Sequence, residues 1–228
     1  MKQFVSMIQS FAHMSGKDVK RVVDDLLSYI IGYFNAEPEP IKGWSYTKEQ
    51  NAEFHKMMLE YIRLMDEQLA HAQWYDAWGN LFMSLTPGGG SKGQFFTPPD
   101  ICDLMAQMNI NTDVEPTKVC RAFGKRVLIG DPTAGSSRNL LATHVRFVDA
   151  KKPIPYLVAE DCDEMCCKMS AVNLMVHGCI GEVICHDTLV NPKGVTVGYL
   201  INEGLYPFKS GVPTIRIKRE PQWFVSLC

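Results

Sequence analysis

Residues 127–141 read VLIGDPTAGSSRNLL, and this stretch decides the fold. A short apolar run ends at Asp131, small residues follow through Gly135, and a helical pattern of apolar residues begins at about Ser136. This order predicts a buried strand, a tight loop and a helix. The small side chains let a ligand approach the backbone closely, and the start of the helix offers free N–H groups.

The alternation of strand and helix continues along the chain. Strands are predicted at 125–131, 155–161 and 181–187, and the helices between them at 136–150 and 163–178. Strands separated by helices predict an α/β fold, in which a Rossmann-like parallel sheet is connected by right-handed crossovers. Gly178 is expected to end the second of these helices.

Two further predictions complete the second part of the chain. A helix is expected to begin at Pro98 or Pro99, because proline is favoured in the first turn. Additional strands are expected near residues 195–201 and 212–218.

The first part of the chain is predicted to be helical. Apolar residues recur at helical spacing over residues 17–35, with Ser15 as the expected N-cap, and the prolines of 35–43 indicate a linker. A second helix is expected to begin at Thr47, whose spacing to Gln50 fits a capping box.

Residues 71–85 are expected to continue helically with a break at Gly79, and the glycine-rich residues 86–93 to form a flexible loop. We therefore expect a helical N-terminal region over residues 1–90 and an α/β domain over residues 91–228.

Composition narrows the possible functions. The 228 residues carry a formal net charge of −2, so the chain as a whole does not attract nucleic acid electrostatically. No apolar run reaches the ~18 residues that would span a bilayer, so no membrane association is expected. The eight cysteines are scattered and include the adjacent pair Cys166-Cys167, which indicates a reducing, cytoplasmic location.

The later cysteines raise the possibility of a metal site. Five of them cluster in sequence with His186, but no Cys-x-x-Cys pair occurs among them. We therefore expect no metal; a free cysteine in a helix or a buried strand behaves as a small apolar residue.

Acidic residues end all three of the first predicted strands. Asp131, Asp161 and Asp187 would lie at the carboxyl edge of the sheet, where ligands of such folds bind. A carboxylate can accept hydrogen bonds from both hydroxyls of a ribose, or from the amine of an adenine. A simpler alternative is that each acid only caps the backbone that follows it.

The loop after the first strand favours one adenine nucleoside in particular. It lacks the Gly-x-Gly-x-x-Gly pattern of dinucleotide-binding proteins and the Walker lysine motif. Asp131 would repel a pyrophosphate but suits an ammonium or a sulfonium group. S-adenosylmethionine carries both of these groups together with a ribose and an adenine, so it is the predicted cofactor.

Four motifs in order resemble those of N-6 adenine DNA methyltransferases. They are GQFFTPPDICDLM at 93–105, DPTAGSSRNLL at 131–141, AEDCDEMCCKMSAVNLMVHG at 159–178 and HDTL at 186–189. The resemblance covers roughly residues 75–190 and is greatest to the modification subunits of type I restriction-modification systems and to their relatives on mobile elements. It implies a sheet of the S-adenosylmethionine-dependent methyltransferase type, DNA as substrate, and a specificity or other partner subunit.

The resemblance also implies roles for the motif residues near the methionine end of the cofactor. Phe95 or Phe96 would pack against the cofactor, and Thr97 would hydrogen-bond its carboxylate. Asp131 and Gly135, with Pro132 in the same motif, would frame the methionine group. Packing in the protein core is the alternative for both phenylalanines.

Three residues are implied at the nucleoside end. Asp161 would hold the ribose, Cys162 would lie against the adenine ring, and Asp187 would meet the adenine amine. For Cys162, simple packing is an equal alternative.

The chain departs from the family pattern in two places. Ser137 stands where the family usually has glycine; this is tolerable at a helix start but costly if the position needs positive φ. The catalytic Asn/Asp-Pro-Pro-Tyr/Phe motif is not found. Asn191-Pro192-Lys193 lacks the second proline and the aromatic residue, and Asn202, which Glu203 and Gly204 follow, is only a weak catalytic candidate.

Three hypotheses follow from these observations. The chain is a DNA adenine methyltransferase that works with partners, a cofactor-binding pseudoenzyme or regulatory subunit without DNA methylation activity of its own, or a methyltransferase with another substrate. The basic segment Arg216 to Arg219 is the one local candidate for a DNA contact, and a solvated strand edge is the alternative.

Overall fold

The computed structural model describes residues 1–85, 95–116, 118–119, 124–191, 193–203 and 212–227. Up to residue 85 it is helical, with four helices: α1 (Lys2–Ser15), α2 (Val19–Tyr33), α3 (Lys48–Leu69) and α4 (Ala77–Leu85). The loop predicted at 86–93 lies outside the described residues. None of the described helices is long and apolar enough to cross a membrane.

The ends of the first helices show which capping predictions hold. Thr47 and Gln50 form the predicted capping box at the start of α3, with both reciprocal hydrogen bonds present. The prediction for Ser15 is wrong, because Ser15 is the last residue of α1. Asp18 caps α2 instead by accepting a hydrogen bond of 2.8 Å from the Lys20 N–H.

The expected helical continuation over residues 71–85 with a break at Gly79 is also wrong. Helix α4 begins only at Ala77, and the predicted break at Gly79 does not occur, because Gly79 lies buried inside α4. The residues just before α4 instead place Asp76 beside the first turn of that helix, where its carboxylate accepts a hydrogen bond of 2.7 Å from the Gly79 N–H.

The second part of the chain contains the sheet. Its elements are α5 (Pro99–Asn109), β1 (Lys118–Val119), β2 (Lys125–Arg126), β3 (Leu128–Asp131), α6 (Arg138–Asp149), β4 (Tyr156–Asp161), α7 (Glu164–Val176), β5 (Ile180–Cys185), β6 (Val197–Ile201) and β7 (Ile215–Lys218). Strands β3 to β7 form one five-stranded sheet in sequence order, and β1 pairs with β2 in a separate ladder. Pro99 opens α5, and Gly178 follows α7 with a φ of 69°, as the sequence predicts.

The expectation of a wholly parallel sheet is corrected by the structure. Strands β3, β4 and β5 are parallel, with Asp131 opposite Ala159 and Asp161 opposite Cys185. Strands β6 and β7 run antiparallel to their neighbours. Between β5 and β6 the described residues form turns rather than a crossover helix, so the chain reverses direction directly. The sheet is therefore mixed.

The outer edge of β7 is covered by the segment that was predicted as a linker. The Ala36 N–H donates to the Ile215 carbonyl at 2.8 Å, and the Ile215 N–H donates to the Phe34 carbonyl at 2.9 Å. Glu37 pairs with Lys218 at 2.8 Å and with Arg216 at 3.2 Å.

The rest of the basic segment is paired as well. Arg219 pairs with Glu39 at 2.9 Å, and Arg216 also meets Glu203 at 2.7 Å. The positive charge of the Arg216–Arg219 segment is thus matched by acidic residues of the same chain.

One hydrophobic cluster joins the helices of the first part to the sheet. It contains Phe4, Leu26, Phe54 and Trp78 from the helices together with Leu157 from β4, all of them fully buried. Helix α2 packs against α7, where Lys168 forms an ion pair of 2.8 Å with Asp24. The helical part therefore lies against the helix that follows β4.

Candidate cofactor-binding site

The loop between β3 and α6 is held in one conformation by groups from other elements. The Gly135 N–H donates to the Asp161 carboxylate at 3.0 Å, and the Ser170 hydroxyl donates to the Gly135 carbonyl at 2.8 Å. The Ala134 N–H donates to the Glu160 carbonyl at 2.9 Å. These contacts fix the loop against the carboxyl end of β4 and against α7.

Two residues of this loop have left-handed backbone conformations. Gly135 has a φ of 56° and Ser137 a φ of 69°. The Ser137 side chain does not cap α6, because its hydroxyl donates to Ser170 Oγ at 2.7 Å. A left-handed conformation costs a residue with a Cβ roughly 1–2 kcal/mol. Serine therefore occupies a position that glycine would occupy without strain.

The Phe96 ring covers the loop at Gly135. A Cβ at Gly135 would lie 2.9 Å from two atoms of that ring, so this close approach requires glycine. Phe96 also packs against Phe82, with ring centroids 5.3 Å apart. Phe95, in contrast, is 65% exposed. The structure thus brings Phe96 to the loop and leaves Phe95 at the surface.

Two cavities flank the loop. One of about 50 Å³ is lined by Phe95, Phe96, Thr97 and Gly135, and one of about 360 Å³ is lined by Asp131 and Pro132. Ligand sites commonly measure ~300–1,000 Å³. The larger cavity is within that range, and the smaller one is below it.

Asp131 stands at the end of β3, half-buried at the larger cavity. Its carboxylate accepts hydrogen bonds from the Thr133 N–H at 3.1 Å and from the Asn139 amide at 3.2 Å. Both contacts leave lone pairs on the carboxylate for a cationic ligand group.

Asp161 lies at the end of β4 and binds the loop directly. Its two carboxylate oxygens accept from the Gly135 N–H and, at 2.8 Å, from the Asp163 N–H. Burial raises the pKa of Asp161 above its ordinary value, because the charged form loses solvation. Glu160 points to the opposite face, as strand alternation requires, and accepts from the Thr188 hydroxyl at 3.2 Å.

The remaining two predicted residues lie at the exposed edge of the sheet. Cys162 is exposed, and Asp187, also exposed, accepts hydrogen bonds from the Leu189 and Val190 N–H groups at 3.0 and 2.9 Å. Neither residue lines the two cavities beside the loop. Asp187 therefore caps its own turn, as the simpler alternative expects, and its free lone pairs face solvent.

Asn202 is fully buried and serves the backbone. Its amide donates to the Met175 and Cys179 carbonyls at 3.1 and 2.7 Å, and its oxygen accepts from the Thr214 N–H at 3.0 Å. Its φ of 56° is left-handed, a conformation that asparagine tolerates better than most residues. This geometry favours a structural role for Asn202 over the catalytic one.

The sequence did not point to Asp76 and Arg138, which lie behind the loop. The Asp76 carboxylate accepts hydrogen bonds of 2.6 Å from both the Ser136 hydroxyl and Arg138 Nε. Arg138 directly follows the small residues of the loop, which was a usable signal. Asp76 is 62 residues away along the chain, and only its position before a helix marks it.

The described cysteines are all free, and most are buried. Burial raises the pKa of Cys102 to about 11 and also raises that of Cys179, so both thiols stay protonated. Within the described part of the chain, no three His, Cys, Asp or Glu side chains are grouped closely enough to hold a metal ion.

A model of the N-6 DNA methylase family matches residues 75–201, which is more than half of the chain and includes α4 through β6. No curated protein matches the chain. The matched region contains the loop, the strand-end acids and Asp76.

Proposed function

Because the chain belongs to the N-6 DNA methylase family, we propose that it binds S-adenosylmethionine at the carboxyl ends of β3, β4 and β5. The observation that carries this proposal is the loop at Gly135. The loop residues around Gly135 carry only small side chains, the Phe96 ring packs directly on Gly135, and the carboxylates of Asp131 and Asp161 flank the loop. The bound cofactor supplies an electrophilic methyl group; the residues of the chain bind and orient it.

The residues present fit such a cofactor in chemical type. Asp131 would face the cationic methionine end from the larger cavity, and Thr97 and Phe96 would contact that end from the smaller one. Asp161 would accept the ribose hydroxyls with the lone pairs that Gly135 and Asp163 leave free. Cys162 and Asp187 would meet the adenine at the exposed edge. Pro132 and Phe95 would lie at the rim of the methionine end, Pro132 at the larger cavity and Phe95 at the smaller one.

We further propose that the chain does not methylate DNA by itself. N-6 methylation needs an acceptor for the adenine amine and an aromatic face for the flipped base. Asn202, the one weak candidate, is buried and fully bonded to the backbone. The chain is then a cofactor-binding pseudoenzyme or regulatory subunit of a DNA-modification system, such as a restriction-modification system. An active methyltransferase completed by a partner is the alternative.

DNA would reach this chain through a specificity or other partner subunit. Phosphate contacts dominate DNA affinity, and the one basic segment singled out by the sequence is paired with Glu37, Glu39 and Glu203. The free cysteines agree with a reducing, cytoplasmic location.

A binding isotherm for S-adenosylmethionine tests the cofactor site. Asp161→Ala should weaken binding by about 10- to 100-fold, since a hydrogen bond to a charged group is worth ~1.5–3 kcal/mol. Asp149→Ala is the matched control, because Asp149 ends α6 and contacts Gln73 away from the loop. Unchanged affinity in a folded Asp161→Ala variant would contradict the proposed contact of Asp161 with the ribose. If the unmodified chain does not bind S-adenosylmethionine, the proposed cofactor is wrong.

Methyl transfer is measured separately. The purified chain is incubated with labelled cofactor and adenine-containing duplexes, and we expect little or no labelling of the DNA. Strong labelling by the chain alone would refute the pseudoenzyme proposal. Labelling of RNA or protein instead would show a different methyl acceptor.

A further inference from the structure

A buried carboxylate connects the helical part of the chain to the loop. Asp76 is 2% exposed and makes four hydrogen bonds, two to each oxygen. One oxygen accepts from the Gly79 N–H at 2.7 Å and from the Asn173 amide at 2.8 Å. The other accepts from the Ser136 hydroxyl and from Arg138 Nε, both at 2.6 Å. Residues from before α4, from the loop, from α6 and from α7 therefore meet at this one group.

Arg138 extends the same network to the segment that precedes α5. Its guanidinium donates to the Thr97 carbonyl at 3.1 Å and to the Asn80 side chain at 2.8 Å, and it lies 5.7 Å from the centre of the Phe96 ring. The guanidinium is nearly buried and stands in the first turn of α6. A cation is unfavourable at a helix N-terminus, so the paired carboxylate of Asp76 is what stabilises it there.

The two sides of the candidate site are thus joined through one ion pair. Ser136 belongs to the loop on one side, and Thr97 belongs to the segment on the other. Asn173 adds a second restraint on the loop, because its amide also donates to the Ser136 carbonyl at 2.9 Å. Displacing the Asp76 carboxylate would release Ser136 and leave the buried Arg138 without its counter-charge.

We propose that Asp76 is a positioning residue, which acts through Arg138 and Ser136 to set the spacing between the loop and the Phe96-Thr97 segment at the methionine end of the cofactor. The proposal rests on the proposed function, because it assumes that S-adenosylmethionine binds at this loop. Asp76 itself touches no cofactor atom, since it is buried behind the loop. Its effect should therefore be confined to the part of the ligand that lies between the two segments.

The Kd values of two ligands distinguish a positioning role of Asp76 from a general contribution to stability. S-adenosylmethionine and 5′-methylthioadenosine share the adenine and ribose, but only the first carries the amino-acid group. In Asp76→Asn, we expect the Kd for S-adenosylmethionine to rise by about tenfold or more, because the loop and the Phe96-Thr97 segment lose the ion pair that sets their spacing. The Kd for 5′-methylthioadenosine should change by less than about threefold, because this ligand lacks the amino-acid group that would lie between the two segments.

Two further variants keep the test decisive. Ser136→Ala removes one of the four hydrogen bonds without unpairing the buried charges, and should shift the ratio of the two Kd values in the same direction. If Asp76→Asn does not fold, the Ser136→Ala ratio decides alone. Asp24→Asn is the control, because it breaks an ion pair between α2 and α7, and Asp24 does not contact the loop.

The outcomes are distinct. A raised ratio in Asp76→Asn and Ser136→Ala, with an unchanged ratio in Asp24→Asn, supports the assignment. If both ligands bind equally more weakly, or if neither Kd changes in a folded variant, the positioning role of Asp76 is overturned. The proposal that the chain binds S-adenosylmethionine is not affected by either result. If the unmodified chain binds neither ligand, the proposed function fails first and the assignment with it.

Discussion

Replacing Gly79 by alanine tests the packing around the buried Asp76 carboxylate. In an ordinary helix interior, this substitution stabilises a protein by ~1 kcal/mol, because alanine restricts the unfolded backbone. Here a Cβ would lie 1.9 Å from an Asp76 carboxylate oxygen and 2.7 Å from the Ser136 hydroxyl. Something must move, and both of those atoms are already held in the network.

The magnitude follows from what the displaced oxygen would lose. That oxygen accepts from Ser136 and from Arg138, and a hydrogen bond to a charged group is worth ~1.5–3 kcal/mol. Partial relaxation and the gain in helix propensity offset part of the loss. We therefore expect Gly79→Ala to lower the free energy of unfolding by about 2–4 kcal/mol.

Urea denaturation followed by circular dichroism measures this change. A loss of that size should lower the midpoint by about 1 M or more at an unchanged slope. Gly32→Ala is the matched control, because Gly32 is also helical and a Cβ there would meet only the Ile41 side chain, at 3.3 Å. We expect that variant to stay within about 1 kcal/mol of the unmodified chain. A Gly79→Ala variant as stable as the unmodified chain would refute the reasoning.

Three other predictions concern titration and burial. Burial lowers the pKa of His144 to about 4, so the unfolded chain binds more protons below the ordinary value of 6.5. Stability should then fall by roughly 3 kcal/mol as the pH drops from 6.5 to 4, and urea titrations of His144→Leu should lack that slope. Because the pKa of Asp161 is raised, the affinity for S-adenosylmethionine should decline as falling pH protonates the Asp161 carboxylate. Binding isotherms of Asp161→Asn should lack this decline, and a decline that persists would contradict the contact of Asp161 with the ribose. Asn202→Ala should lower the free energy of unfolding, measured in urea, by about 3 kcal/mol or more, because two buried carbonyls and the half-buried Thr214 N–H each lose a partner, while cofactor affinity per folded molecule is unchanged.

The parts of the fold that depend on local pattern could be predicted from the sequence. Apolar runs that end in acidic residues predict strands β3, β4 and β5. Helical spacing and Gly178 predict the helices between these strands. Phe4, Ile8 and Phe11, all buried in α1, follow the same helical spacing. The direction of β6 and β7 could not be predicted, because it depends on which neighbour each strand pairs with.

In the candidate site, the sequence motifs predict the loop and the strand-end acids, but not the residues that support the loop from other elements. The position of Ser137 was recognised as costly if its φ were positive, and the structure shows that it is positive. The choice between catalytic and structural roles for Asn202 needed the fold, because its three backbone partners come from two distant segments. The only local sign of Asp76 is its position before α4, where it bonds the Gly79 N–H, because its other partners lie 60, 62 and 97 residues further along the chain.

The helical part helps to hold the strained loop between β3 and α6, because Asp76 bonds the loop at Ser136. Two left-handed residues close together, one of them a serine, would not hold this shape alone. Gly135 is instead bonded by Asp161 from β4 and by Ser170 from α7, and Ser136, between the two left-handed residues, is bonded by Asn173 from α7 and by Asp76 from the helical part. A cofactor that binds this loop then finds it already ordered and avoids the entropic cost of fixing it. By the same linkage, variants that loosen the network should lose stability and cofactor affinity together, and bound cofactor should return part of the stability.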